Sequence, residues 1–237
     1  MRTRSLTSAV VLLAVLVAAL LAVKALDAAP LESPTVATHS VVDPEAWQPE
    51  DRPGHADELA LLERIAVRKR ADGDGYEREL FGERWADVDG NGCDTRNDVL
   101  ARDLQDVTLR RDGCLVETGV LHDPYTGRRI DFVRGPQTSQ AVQIDHVVAL
   151  YDAWRTGARE WTYARRTQFA NDPANLLAVD GEANDDKGHA DASRWLPPNP
   201  GFRCEYVAAQ VRVKAAYGLW MTPEEHGAAR EVLESCD

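Results

Sequence analysis

An unbroken apolar run, Ala9 to Val23, lies between Arg2 and Arg4 on one side and Lys24 on the other. A basic start followed by such a run reads as the first two regions of an export signal. The run is at the upper end for a signal peptide and slightly short of the about 20 residues that span a bilayer. Val23-Lys24-Ala25 is a poor small-residue cleavage match, so removal of the segment and its retention as a membrane anchor both stand. In either case Arg2 and Arg4 stay cytoplasmic and everything after Lys24 is sent across. The chain is therefore expected to fold outside the cytoplasm, secreted or membrane-anchored, touching a membrane only through this segment.

An oxidising space changes how the cysteines are read. There are four, Cys93, Cys114, Cys204 and Cys236, and an even count in an exported chain points to disulfides with three connectivities open. Their order favours Cys93–Cys114 and Cys204–Cys236, each closing a local loop. No C-x-x-C pair suggests a zinc knuckle. With 237 residues, 44% hydrophobic, the chain suits one domain plus an N-terminal appendage. Residues 1–26 form the signal or anchor, 27–54 a Pro-rich linker and 55–237 the domain, expected to act as a monomer. The formal net charge of −12 argues against binding nucleic acid by bulk electrostatics, so such a partner would need a local basic surface or a metal ion.

Within the domain the periodicities alternate between strand and helix. Glu58–Arg70 carries Leu59, Leu62, Ile65 and Ala66 at helical spacing. Short strands are expected at DVTLRR, near CLVETGV and at Arg129–Val133 after a turn at Asp123–Gly127. The strand AVQIDHVVAL follows, then a helix over WRTGAREWTYARRTQFAND, a strand ANLLAVD and a helix starting in GEANDDKGHADASRWL. Two further helices close the chain, the last with Thr222 as N-cap and Pro223 at its first position. The fold class is α+β.

AVQIDHVVAL is the informative strand, because Asp145 and His146 interrupt an apolar pattern where an unpartnered acid or imidazole costs about 1–3 kcal/mol. Asn175 opens the next strand, and Asn184 and Lys187, three residues apart, share a helix face. Converged, these groups could cleave phosphodiesters. A hard divalent cation prefers oxygen ligands, which Asp145 and Asn184 supply. His146, whose ordinary pKa lies near working pH, could take a proton from water. Asn175 could accept a hydrogen bond from the other ring nitrogen, and Lys187 could place a charge beside the phosphate.

The ordered set Asp145-His146, Asn175 and Asn184-x-x-Lys187 resembles the ββα-metal (HNH, or His-Me finger) nuclease motif, with asparagine where many members place the last histidine. More closely, IDHVVALYDAWRTGAREWT, FANDPANLLAV, NDDKGHADASRWLPPN and GCDTRNDVLARDL look like exported HNH-family proteins of the DUF1524 group, over roughly residues 55–237. The resemblance implies a ββα-metal core at about residues 141–196 within a helix-rich, disulfide-containing domain. It implies an endonuclease dependent on Mg²⁺ or a similar ion such as Mn²⁺, acting on nucleic acid, DNA ahead of RNA. His146 would be the general base, Asp145 and Asn184 the metal ligands and Asn175 the orienting residue. The zinc-binding cysteine pairs of many HNH proteins are absent.

Substrate contacts are expected from Arg155 and Arg159, in a segment where Arg165 and Arg166 add charge and Trp154 and Trp161 interleave, and from Arg96. Both tryptophans fit a core equally well. Asp87, Asp89, Asn91, Gly92 and Asp98 follow the spacing of an EF-hand loop, with Asp for the final Glu. That leaves two competing readings from other classes: a calcium-binding extracellular domain centred on this loop, and a catalytically inactive surface module.

Overall fold

The computed structural model describes residues 55–236. The apolar N-terminal run and the Pro-rich linker lie outside the described residues. Among those described, no helix is long and apolar enough to cross a membrane.

Helix α1, Ala56–Leu62, is shorter than its apolar period predicts. Its last turn tightens through bonds from Arg64 and Ile65 to the carbonyls of Leu61 and Leu62. The chain then runs extended, because Val67 bridges Met221 and the Arg68 amide bonds the Met221 carbonyl. Tertiary pairing thus overrides a weak local preference. Helix α2, Thr95–Asp103, starts at Asp94, whose carboxylate accepts from the Asn97 amide at 2.8 Å, the usual service of an N-cap.

Three antiparallel strands follow in the order β1-β2-β3: Gln105–Leu109, Val116–His122 and Arg129–Val133. The turn between β2 and β3 closes at Asp123–Gly127, where Gly127 takes φ +73°, a conformation glycine adopts without a Cβ penalty. β4, Val142–His146, pairs antiparallel with β5, Leu176–Asp180, placing Ile144 opposite Ala178, Asp145 opposite Leu177 and His146 opposite Leu176. Helix α5, Gly181–Lys187, continues from β5 and stops at Gly188, φ +53°.

Between β4 and β5 the expected single helix is two, α3 Leu150–Arg155 and α4 Tyr163–Ala170. Gly157 at φ +135° breaks the run, and Thr162 restarts it by accepting from the Arg165 amide. Helix α6, Arg203–Tyr217, and helix α7, Pro223–Glu234, complete the domain. Thr222 caps α7 as its sequence predicts, accepting from Glu225 N at 3.1 Å. The disulfides are Cys93–Cys114 and Cys204–Cys236, the second tying the start of α6 to the end of α7.

The β4–β5 hairpin is packed on both faces. Val142, Ile144, Leu176 and Ala178 join Val99 and Leu100 of α2 and Leu121 and Phe132 of the larger sheet in one cluster. On the opposite face Val179 packs with Ala183 of α5, Val207 and Val211 of α6, and Tyr125 from the β2–β3 turn. Opposed residues of an antiparallel pair share a face, so this register sends Asp145 one way and His146 the other.

Candidate active site

Asp145 faces α5. Its Oδ1 accepts from Lys187 Nζ at 2.9 Å and its Oδ2 from the Tyr125 hydroxyl at 2.5 Å. The same ammonium bonds the His146 carbonyl oxygen at 2.9 Å. The ion pair is enclosed, with side-chain exposures of 0% for Lys187 and 6% for Asp145. Burial pushes the Asp145 carboxyl above its ordinary range, against the opposite pull of Lys187 and Tyr125. One turn earlier on α5, Asn184 donates its amide nitrogen to Gln143 Oε1 at 2.8 Å. Strand spacing of two and helix spacing of three thus place two side-chain rungs in register, Gln143–Asn184 and Asp145–Lys187.

His146 turns to the other face. Its Nε2 lies 2.8 Å from the Ala170 carbonyl oxygen at the end of α4. A carbonyl only accepts, so Nε2 carries the proton and the neutral ring keeps its lone pair on Nδ1. Burial, with the charges of Arg78 and Lys187 adding to it, lowers the imidazole pKa to about 3, against the supporting bond to Ala170. The ring is therefore held neutral, in one tautomer, with an unprotonated nitrogen free to accept.

This imidazole lines a cavity of about 540 Å³ together with Arg78, Arg84, Trp85, Arg96 and Gln143. No aspartate or glutamate is in its wall. Trp85 lies parallel to the His146 ring, 12° between planes and 6.3 Å between centroids. Its backbone takes φ +59°, which is uncommon for a bulky residue and marks stored strain. Arg96 anchors one guanidinium nitrogen on the Val142 carbonyl at 3.1 Å. Burial and Arg134 lower its pKa, and burial and Arg84 lower that of Arg78. Among the described residues the buried Nη1 of Arg78 has no hydrogen-bond partner. An acidic chain has gathered three guanidinium groups in one wall, none in a salt bridge among the described residues although Glu79 and Asp94 lie near Arg78 and Arg96. This is the local basic surface that nucleic-acid binding by such a chain requires.

The predicted residues are thus divided by the hairpin. Asp145, Asn184 and Lys187 meet on the α5 face, and His146 with Arg96 lies on the other; Gln143 touches Asn184 and also lines the cavity. Asn175 does not touch the imidazole. It is fully buried, its Oδ1 accepting from Val148 N at 2.8 Å and its amide donating to Val148 O at 3.3 Å. It fixes the backbone just after the Asp-His pair, while the Ala170 carbonyl takes the orienting role expected of it. Lys187 neutralises Asp145 instead of standing beside a phosphate.

Arg155 and Arg159 lie away from the cavity. Arg155 bonds the Ala71 carbonyl at 2.8 Å and stacks over Tyr151, and Arg159 pairs with Asp72 and Glu160. Both hold the 71–72 segment, acceptors that lie more than 80 residues away in sequence. Trp154 is core. In the 87–98 loop the carboxylates serve their own turn: Asp87 accepts from the Gly90 and Gly92 amides, and Asn91 bridges Asp89 and Asp98.

Arg78, Arg84, Trp85 and Tyr125 carry contacts that sequence reasoning missed. The cue for the first three was a basic and aromatic stretch, RELFGERW, without apolar period.

Phosphodiester cleavage commonly enlists a divalent cation. As arranged, Asp145 does not fit one, since both its oxygens are taken and an ammonium already sits on Oδ1. Asn184 does fit, because its nitrogen is spent on Gln143 and its carbonyl oxygen is left for a hard cation.

The family of GmrSD restriction endonucleases, C-terminal domain, matches residues 94–231, more than half of the chain. The chain belongs to this family. The GmrSD match begins at Asp94, the cap of α2, and takes in Arg96, His146, Asn175, Asn184 and Lys187, whereas Arg78, Arg84 and Trp85 precede it. An "Uncharacterized secreted protein" of Arthroderma benhamiae is 35% identical over 191 residues, covering 79% of this chain and 89% of its own. No solved structure matches. A nuclease family, two disulfides and a mixed α+β fold therefore stand together in this chain.

Proposed function

We propose that this protein is a secreted endonuclease that hydrolyses phosphodiester bonds of DNA in the arginine-lined cavity, with His146 as general base. One observation carries the reading. The His146 ring is held neutral with Nε2 donating to Ala170, and its lone-pair nitrogen belongs to a ring in a wall that holds three arginines and no acid. A water placed against Nδ1 gives up its proton as its oxygen bonds phosphorus, and the phosphorus–oxygen bond to the leaving strand breaks. The leaving oxygen is protonated from solvent. Positioned proton transfer of this kind contributes about 10²–10⁴-fold. Arg78, Arg84 and Arg96 stabilise the charge that develops on the phosphoryl oxygens, an effect strengthened where water is excluded.

A divalent ion, when bound, supplies Lewis-acid stabilisation of phosphoryl oxygens. Asn184 would offer it an amide oxygen from the α5 face, where its nitrogen is held by the cavity-lining Gln143, with waters completing the shell. Asn175 and the Asp145–Lys187 pair hold the backbone on both sides of His146 and so position the base. An antiparallel hairpin running into a helix, with histidine at the first strand's end, supports a ββα-metal core at about residues 141–196. Secretion is supported by the two disulfides and by the printed name of the relative from Arthroderma benhamiae.

The test is the purified protein against supercoiled plasmid, with Mg²⁺, Mn²⁺ or EDTA. The expected outcome is nicked and linear plasmid with either ion and little with EDTA. Intact plasmid under every condition, from folded protein, would refute the reading.

A further inference from the structure

We infer that the strand entering the cavity is unpaired, with its phosphate on Arg78 and Arg96 and an adjacent base laid against the Trp85 indole. The inference rests on the cavity being the nucleolytic site and adds the form of the substrate.

The first support is the unspent donor. Arg78 Nη1 is buried and has no partner among the described residues, beside a second guanidinium and facing no carboxylate in the wall. A buried donor of this kind carries the full cost of its lost hydration unless something fills it. An anion with several acceptor oxygens fits the planar guanidinium, and a phosphodiester is such an anion.

The second support is Trp85. A bulky residue is held at φ +59° on the segment that carries Arg84, with its ring in the cavity wall and parallel to His146. Arg78, Arg84 and Trp85 are near neighbours in sequence, so one segment brings both the charges and the aromatic face. Proteins that bind single strands combine these two elements, a cationic track and an aromatic platform for the bases.

The third support is size. A cavity of about 540 Å³, with Ile144 beside His146 in its wall, has room for a nucleotide, base included. In a duplex the base beside the reacting phosphate stays in its own stack, and reaching Trp85 requires breaking that stack. An unpaired strand meets no such cost.

The experiment compares kcat/KM on a labelled single-stranded deoxyoligonucleotide and on the same oligonucleotide annealed to its complement. Wild type, Trp85→Leu, Trp85→Tyr and Arg78→Met are assayed, with thermal denaturation confirming the fold. Wild type is expected to favour the single strand. Trp85→Leu should lose roughly 5- to 150-fold on the single strand, mostly through KM, the range expected for one base–aromatic stack. Trp85→Tyr should retain most of the activity. Arg78→Met should reduce the slope of log affinity against log salt by about one.

Faster cutting of the duplex by wild type, or an equal loss by Trp85→Leu on both substrates, overturns the inference and leaves the nuclease reading intact. Failure to cut either substrate removes both. Should Trp85→Leu not fold, the strand preference of wild type still decides the matter.

Discussion

Replacing Lys187 with methionine removes the ammonium that neutralises Asp145 and keeps most of the side-chain volume. The carboxylate would remain 6% exposed with the Tyr125 hydroxyl as its only side-chain partner. Breaking a buried ion pair by deleting one member costs about 3–5 kcal/mol, because the surviving charge is stranded. For a domain of this size that is roughly a 6–20 °C fall in Tm. Asp145→Asn should cost a similar amount for the complementary reason. The double variant, Asp145→Asn with Lys187→Met, should recover most of the loss, since neither charge remains. Urea denaturation of the four proteins closes the cycle, and a coupling of at least about 1 kcal/mol is expected. A Lys187→Met variant within about 0.5 kcal/mol of wild type, or strictly additive losses, would refute the assignment of this pair as the anchor beneath His146.

Two other outcomes follow from buried groups and crosslinks. Burial, reinforced by Asp152 and Asp191 and opposed by Lys214, raises the Glu225 carboxyl from an ordinary 4.5 to about 7. Because the folded state takes up that proton first, the associated stability is complete below pH 4.5 and is lost as pH rises through 7, up to about 3 kcal/mol. Thermal denaturation from pH 4.5 to 8 should show a smaller pH-dependent change for Glu225→Gln than for wild type, and identical profiles would contradict the assignment. Replacing Cys93 and Cys114 by alanine opens a loop of sequence separation 21, which loosens the unfolded chain by roughly 3 kcal/mol. A correspondingly lower Tm is expected, and an unchanged Tm would show that the crosslink contributes nothing.

Much of this was legible in the sequence because it is local. Alternation in AVQIDHVVAL makes the strand, and the same alternation separates Asp145 from His146. Thr222-Pro223 announces the start of α7, and the cysteine order gives the two observed pairs. What was not legible depends on chain segments far apart. Nothing local tells that Tyr125 and Lys187 share Asp145, or that Ala170 rather than Asn175 meets the imidazole. Arg155 and Arg159 were visible as charge, yet their acceptors are the Ala71 carbonyl and the Asp72 carboxylate. Those that line the cavity sit in a segment without period, where sequence patterns carry least information. The helix predicted over residues 154–172 fails at Gly157, because a single residue at positive φ suffices to break the repeat.

The most direct test of the central claim is plasmid cleavage by His146→Ala, with thermal denaturation showing that the domain still folds. The rate should fall at least about 10²-fold, as expected for removal of a positioned base. Nicking and linearisation at the wild-type rate by the folded variant would contradict the claim.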